Sequence, residues 1–373
     1  MPECTRPTLT AMRRGTWGRR LGGVLLGAAL LAGLSGCGEV SYLAQAAAGQ
    51  LDLLVRARGV ADVLADPGTP AVTRRKLELV RDVRAFAVAP AAQGGLGLPD
   101  HGSFVKYVDV GRPYVVWNVF SAPEFSVQLS TQCFPVAGCV AYRGYFSEAA
   151  ARAEGRARAA TGQDVLVGGV SAYSTLGYLK DPVLSTMLAY PDATLIRTVI
   201  HELAHPAVYV KDDTVFNESY ATAVEEEGMR RWLAARGTPE LREQDRLAQA
   251  RAQDFNALLL SARGELEALY AQALPPETMR ARKAGLLADL NARYARLKEE
   301  RWDGYAGYDG WFARGVNNAA LGSVAAYAAL VPEFQAVLAR VDGDVPAFLR
   351  VVQGCAARPA AERVACLREA ARA

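Results

Sequence analysis

His201, Glu202 and His205 stand in the order His-Glu-Leu-Ala-His, two imidazoles four residues apart with a carboxylate beside the first. On a helix, residues i and i+4 share a face, so both rings can turn toward one ion while Glu202 stays next to them. Imidazole nitrogen suits Zn²⁺, which lowers the pKa of water to about 7, and a neighbouring carboxylate can then take the proton. The whole chain has 3 His, and two of them fall within these five residues. Leu195, Ile196, Val199 and Ile200 give such a helix an apolar face to bury. Pro206 follows at once; it lacks an N–H and its ring meets the carbonyl four residues back, so the helix is expected to stop or kink there, with His205 in its last turn.

A catalytic zinc takes three protein ligands and keeps one position open. The third histidine, His101, lies about 100 residues upstream in a loop beside Gly102. The segment Asn217–Glu225 is the better source, with Glu218 and Glu225 both available. Glu218, Thr222 and Glu225 share a helix face, so Glu225 is a rival ligand, a support for the ligands, or a partner for a substrate amine.

The string His201-Glu202-Leu203-Ala204-His205, then Phe216-Asn217-Glu218-Ser219-Tyr220-Ala221-Thr222 and Val224-Glu225, resembles the HELAH…NEGFASYVE core of gluzincin aminopeptidases. In that group the Glu after Asn is the third zinc ligand, which implies Glu218 here. More closely, the chain resembles a bacterial family of zinc aminopeptidases, many of them lipoproteins. The likeness is carried by Cys133-Phe134-Pro135-Val136-Ala137-Gly138-Cys139, Tyr142-Arg143-Gly144-Tyr145-Phe146, Ala172-Tyr173-Ser174-Thr175-Leu176-Gly177 and Asp181-Pro182-Val183-Leu184-Ser185-Thr186-Met187. It spans Tyr42 to Phe334.

Two departures stand out. The 12 residues between His205 and Glu218 are fewer than the roughly 18 of the large gluzincin aminopeptidases. The Gly-Ala-Met-Glu-Asn strand that holds the substrate's amino group in those enzymes has no counterpart. Hydrolysis is therefore a firmer expectation than exopeptidase action. A strand over Val165–Leu179 is expected to offer an edge either to an extended peptide or to the fold itself. An oxyanion needs a donor, for which Arg143, Tyr145, Tyr220, Tyr305 and Tyr308 are the candidates. Trp302, Tyr305, Tyr308 and Trp311, with Asn317 and Asn318, fit a pocket lining or core packing equally well.

The formal charge of +3, from 42 Lys+Arg against 39 Asp+Glu, disappears once the charges are located. Residues 1–36 hold five Arg and one Glu, so the remaining 337 residues balance to −1. No basic field is left to attract nucleic acid. Within 1–36, the uncharged run Leu21–Leu34 reaches roughly 21 Å, short of the roughly 30 Å hydrocarbon core, and reads as a signal peptide. It ends in Leu34-Ser35-Gly36-Cys37, which looks like a bacterial lipobox with Cys37 as the lipidated residue. The expectation is an exported protein, lipid-anchored to the cell envelope and facing the periplasm or the exterior. In that setting Cys133, Cys139, Cys355 and Cys366 read as two disulfides, with the local pairs Cys133–Cys139 and Cys355–Cys366 favoured among three connectivities. Closing such short loops is worth about 2–3 kcal/mol each in chain-entropy terms.

The elements that must position these residues follow from periodicity. After the signal at 1–36, residues 37–100 read as a helical segment and 101–236 as a zincin-like core. Within that core, 103–170 favours a small antiparallel sheet with a helix near Ser147–Thr161, and helices follow at Ala193–His205 and Asn217–Arg236. Residues 237–345 read as a long helical hairpin broken at Pro275-Pro276, plus a packing helix at Asn318–Leu330. Residues 346–373 form a disulfide-clamped end. The fold class is α+β, mostly α. The chain thus reads as a membrane-anchored zinc metallopeptidase that acts on peptides, as an aminopeptidase with Glu202 as general base. The other readings are a zinc endopeptidase, or a non-catalytic envelope lipoprotein that binds zinc or a protein partner. Against the last, a structural zinc site needs no base and closes all four positions.

Overall fold

A computed structural model describes residues 41–134, 138–172, 175, 179–328 and 330–372. The segment 1–36, expected to be a signal peptide, and Cys37, expected to carry lipid, lie outside the described residues. The chain divides into two compact units after Gly49. Described residues 41–49 of the first are helical, the start of α1 (residues 41–56).

The fold is α+β and mostly helical. After α1 come β1 (Arg58–Gly59), α2 (Val60–Ala65), α3 (Ala71–Val88), β2 (Lys106–Val108) and β3 (Val116–Ala122). Next are β4 (Gln132–Phe134), β5 (Gly138–Val140), β6 (Tyr142–Tyr145), α4 (Glu148–Ala159) and β7 (Asp164–Val170). The site helices follow a short β8 (Val183–Leu184) and α5 (Ser185–Leu188); they are α6 (Asp192–Ala204) and α7 (Thr214–Arg236). The hairpin is α8 (Pro239–Tyr270) and α9 (Pro276–Arg301), each with Pro in its first turn, where the missing N–H costs no bond. Finally come α10 (Asp309–Phe312), α11 (Asn318–Ala328), α12 (Val331–Arg340), α13 (Val345–Ala356) and α14 (Ala360–Ala370).

The antiparallel sheet expected from the β-branched stretch is β6–β3–β7, with β3 in the centre and buried almost throughout. Two smaller pairings escape any periodicity because their strands are only two or three residues long. The hairpin β4–β5 carries the Cys133–Cys139 bridge across directly paired positions. The order β1–β2–β8 includes a parallel pair, Tyr107 with Val183 and Val108 with Leu184.

The main core forms around α6, whose Leu195, Ile196, Val199 and Ile200 are completely buried against α3 and α7. At the α6–α7 crossing a Cβ on Gly228 would stand 2.8 Å from Ile200 and 2.9 Å from Leu96, so only glycine permits this approach. The C-terminal segment belongs to the same core: Phe348, Val352 and Leu367 are fully buried, and Cys355–Cys366 ties α13 to α14. A second apolar cluster fills the α8–α9 hairpin, with Phe255 stacked on Tyr308 and Tyr294 on Phe312. Trp302 and Tyr308 thus serve packing there, and Asn318 is buried, bridging the Pro123 and Glu124 carbonyls and Tyr270.

The amino end of α6 is pinned electrostatically. Asp192, in its first turn, lies 2.7 Å from both Arg75 and Lys76 of α3, and Lys76 is only 7% exposed. Hydrogen bonding from Arg75, with Lys76 also contributing against the opposing effect of burial, holds the Asp192 carboxyl below the usual aspartate range. Asp192→Asn should destabilise by about 1–2 kcal/mol at neutral pH, less than for a fully buried pair because Asp192 is partly solvated. The depressed pKa sets the sign. The contribution is complete above the ordinary aspartate pKa of about 3.9 and fades as pH falls through the lower folded value. Urea unfolding of both proteins checks this; an undiminished difference below pH 3 would refute the assignment.

Candidate metal centre and substrate cavity

α6 ends at Ala204, and Pro206 turns the chain into a single 3₁₀ turn, His205–Ala207. His205 therefore stands one residue past the α-helix, yet its ring still faces that of His201, with centroids 4.9 Å apart. The short link to α7 is held by side chains. Asn217 clasps Val210 twice, accepting from its N–H and donating to its carbonyl, both at 2.8 Å. Asp213 caps α7 by accepting from Phe216 N–H and is bridged at 2.7 Å by Arg363 of α14. Tyr220, fully buried, donates its hydroxyl to the Ala204 carbonyl at 3.2 Å. Each residue of Asn-Glu-Ser-Tyr thus has work to do, since Ser219 Oγ accepts from Leu330 N–H of the turn into α12.

These clasps bring Glu218 to both histidines. Its Oε2 lies 3.3 Å from His201 Nε2 and 3.7 Å from His205 Nε2. Ligand atoms of the three residues all fall within 4.8 Å of one another, a group that can hold a metal ion. Glu225 takes the opposite nitrogen of His201, with Oε2 at 3.2 Å from Nδ1. Its other oxygen meets Arg197 at 3.2 Å, and Arg197 in turn grips Asp245 of α8 at 2.6 and 3.1 Å. Glu225 therefore supports His201 and stands outside the three-residue group.

Burial and charge act differently on each member. Burial disfavours charge on His201, but hydrogen bonds to Glu218 and Glu225 overcome it and raise its pKa to about 10. His205, buried and facing charged His201, falls to about 4. Glu202 is lifted to about 7, chiefly by burial, and its Oε2 is buried with no hydrogen-bond partner among the described residues. A carboxyl in that state is suited to passing protons near neutral pH.

A cavity of about 660 Å³ opens beside His201 and Glu202. Its walls come from α6 (Thr194, Arg197, Thr198), the end of β7 (Gly169, Val170), and α8 (Asp245, Gln249, Arg251). β7 is an edge strand, so the expected edge does reach the site; among the described residues it runs over Asp164–Val170. Among the oxyanion candidates, Tyr305 and Tyr308 line this cavity. Tyr145 is buried in β6 opposite Trp117, Arg143 pairs with Glu154 at 3.7 Å, and Tyr220 is bonded in the core. His101 is exposed and takes no part in the metal group.

Tyr190 and Tyr114 also line the cavity and were not legible in the sequence. Tyr190 is hydrogen-bonded to Ser171 and close enough to Glu202 to feel its charge. No motif marks either residue. Arg197 had a usable signal: it lies four residues before His201 on the same helix face.

A family model described as "Putative aminopeptidase" matches residues 41–367. The chain belongs to this family. No curated protein and no solved structure matches it. Membership supports peptidase activity at the coarse level, and it covers every element that builds the cavity and the metal group.

Proposed function

We propose that this family member is a zinc-dependent aminopeptidase, held to the cell envelope by lipid on Cys37. The observation that carries the reading is the convergence of His201, His205 and Glu218 close to the buried carboxylate of Glu202, with His201 and Glu202 lining the cavity. The donor set, two imidazole nitrogens and one carboxylate oxygen, is one that Zn²⁺ favours. Ligands about 2.1 Å from one ion at tetrahedral angles stand about 3.4 Å apart, and the two His–Glu218 separations are 3.3 and 3.7 Å. The lipid anchor rests on Leu34-Ser35-Gly36-Cys37.

When bound, zinc supplies a Lewis acid that polarises the scissile carbonyl and acidifies water. The protein's own groups do the rest. Glu202 accepts a proton from the attacking water and returns it to the leaving amine, a task its raised pKa suits. Tyr190 presents a phenol on the cavity wall as a donor for the developing oxyanion. Glu225 fixes the orientation of His201 through Nδ1. Two carboxylates, Glu225 and Asp245, stand with Arg197 on the cavity wall and give that end of it acidic oxygens. Those oxygens suit a substrate's ammonium group. The open edge of β7 at Gly169–Val170 can align an extended backbone.

Elemental analysis together with turnover of a mixed-peptide library, read by mass spectrometry, tests the reading. One zinc per chain and products shortened from their amino ends are expected, and amino-acetylation of the peptides should stop cleavage. Unchanged cleavage of acetylated peptides would identify an endopeptidase; no hydrolysis by zinc-loaded protein would refute the peptidase reading. Glu225→Gln should weaken zinc binding by about 10–100-fold, as supporting residues of metal ligands commonly do. Competition with a chromophoric chelator measures this, and an unchanged affinity would show that Glu225 does not orient His201.

A further inference from the structure

The cavity's charges are unevenly satisfied. Arg197 is committed to Asp245 and Glu225, and Glu225 also to His201. Arg251 differs: among the described residues it makes no ion pair. Its guanidinium lies 4.0 Å from the centroid of the Tyr305 ring, which holds it at the cavity wall. The same wall carries Ala248 and Ala252, whose short side chains leave room in front of it. Arg251 lies six positions after Asp245 on α8, a rise of about 9 Å. An extended peptide covers that distance in two to three residues.

We infer that Arg251 is a specificity residue that binds a substrate carboxylate two to three residues from the amino end. This rests on the aminopeptidase reading and deepens it: the preferred substrates are short peptides with a free carboxyl terminus or an acidic side chain at that distance. The acidic oxygens of Glu225 and Asp245 receive the ammonium end, and Arg251 the carboxylate. A planar guanidinium already held on an aromatic face loses little freedom when it takes a carboxylate in a paired hydrogen bond.

The test uses zinc-loaded Glu202→Gln protein, in which binding is measured without turnover by titration calorimetry. The probes are trialanine, trialanine amide, Ala-Glu-Ala amide and Ala-Gln-Ala amide. Trialanine is expected to bind about tenfold more tightly than its amide, or the Glu peptide about tenfold more tightly than the Gln peptide. The first result assigns the carboxyl terminus and the second the side chain, and either supports the proposal if Arg251→Gln in the same background erases the preference and Arg251→Lys keeps part of it. Equal binding of all four peptides, or a preference that survives Arg251→Gln in protein of unchanged melting temperature, overturns it. In both of those cases wild-type hydrolysis of the amides would leave the aminopeptidase reading standing. Absence of binding together with absence of hydrolysis would sink both.

Discussion

Glu202→Gln should slow peptide hydrolysis by about 10²–10⁴-fold while zinc content stays at one ion per chain. The substitution keeps the shape of the side chain and removes its capacity to take a proton. The change targets chemistry because Glu202 is not one of the three converging residues, and its Oε2 has no hydrogen-bond partner to lose among the described residues. Folding should not suffer, since the variant removes a carboxyl that burial already disfavours in its charged form. Initial rates on the best library peptide, elemental analysis and a thermal melt form the full measurement. A rate within tenfold of wild type, with zinc retained, would place the general base elsewhere.

Glu218→Ala should abolish stoichiometric zinc binding. Its Oε2 is the atom both imidazoles face, so its loss takes away the only carboxylate of the three-residue group. The loss should exceed the roughly 10–100-fold that a supporting residue such as Glu225 costs. A thermal shift gives an independent readout. For wild-type protein, zinc at 100 times its Kd stabilises the fold by about 2.7 kcal/mol. In Glu218→Ala the melting temperature should no longer respond to zinc, and activity should vanish with it. A variant that binds one zinc as tightly as wild type would transfer the third ligand to Glu225 or another group and rule out the site drawn here.

The histidine pair, its glutamate and the helix stop at Pro206 were legible because each is a local matter. Imidazole spacing on a helix and the steric effect of proline need no knowledge of the rest of the chain. Helices α4, α6, α7, α8 and α9 were equally legible, since each is long enough to show its period or is bounded by Ser147, Asp213, Thr238 or a proline. What periodicity could not show were the two-residue strands β1 and β8, whose pairing depends on β2 arriving between them. The aromatic residues near Trp302 were ambiguous for a related reason. Tyr305 and Tyr308 reach the cavity, whereas Trp302 is buried beside them, and residue type does not separate these fates.

Glu218 and Glu225 show most clearly where sequence ends and tertiary structure begins. Both lie on one face of α7, and spacing along the chain left them rivals. The choice depends on where α7 starts relative to His205, and Asn217 on Val210, Asp213 on Arg363 and Tyr220 on Ala204 set that register. With it set, Glu218 meets the Nε2 atoms of both histidines and Glu225 meets Nδ1 from behind. The sequence by itself determined the imidazole pair, the carboxylate beside it and the helices that carry them, because those are properties of neighbours along the chain. Only the tertiary structure decided which carboxylate faces the ligand set, that Tyr190, Arg197, Asp245 and Arg251 share its cavity, and that α14 braces α7. Those facts depend on the packing of segments distant in sequence, and no local pattern encodes it.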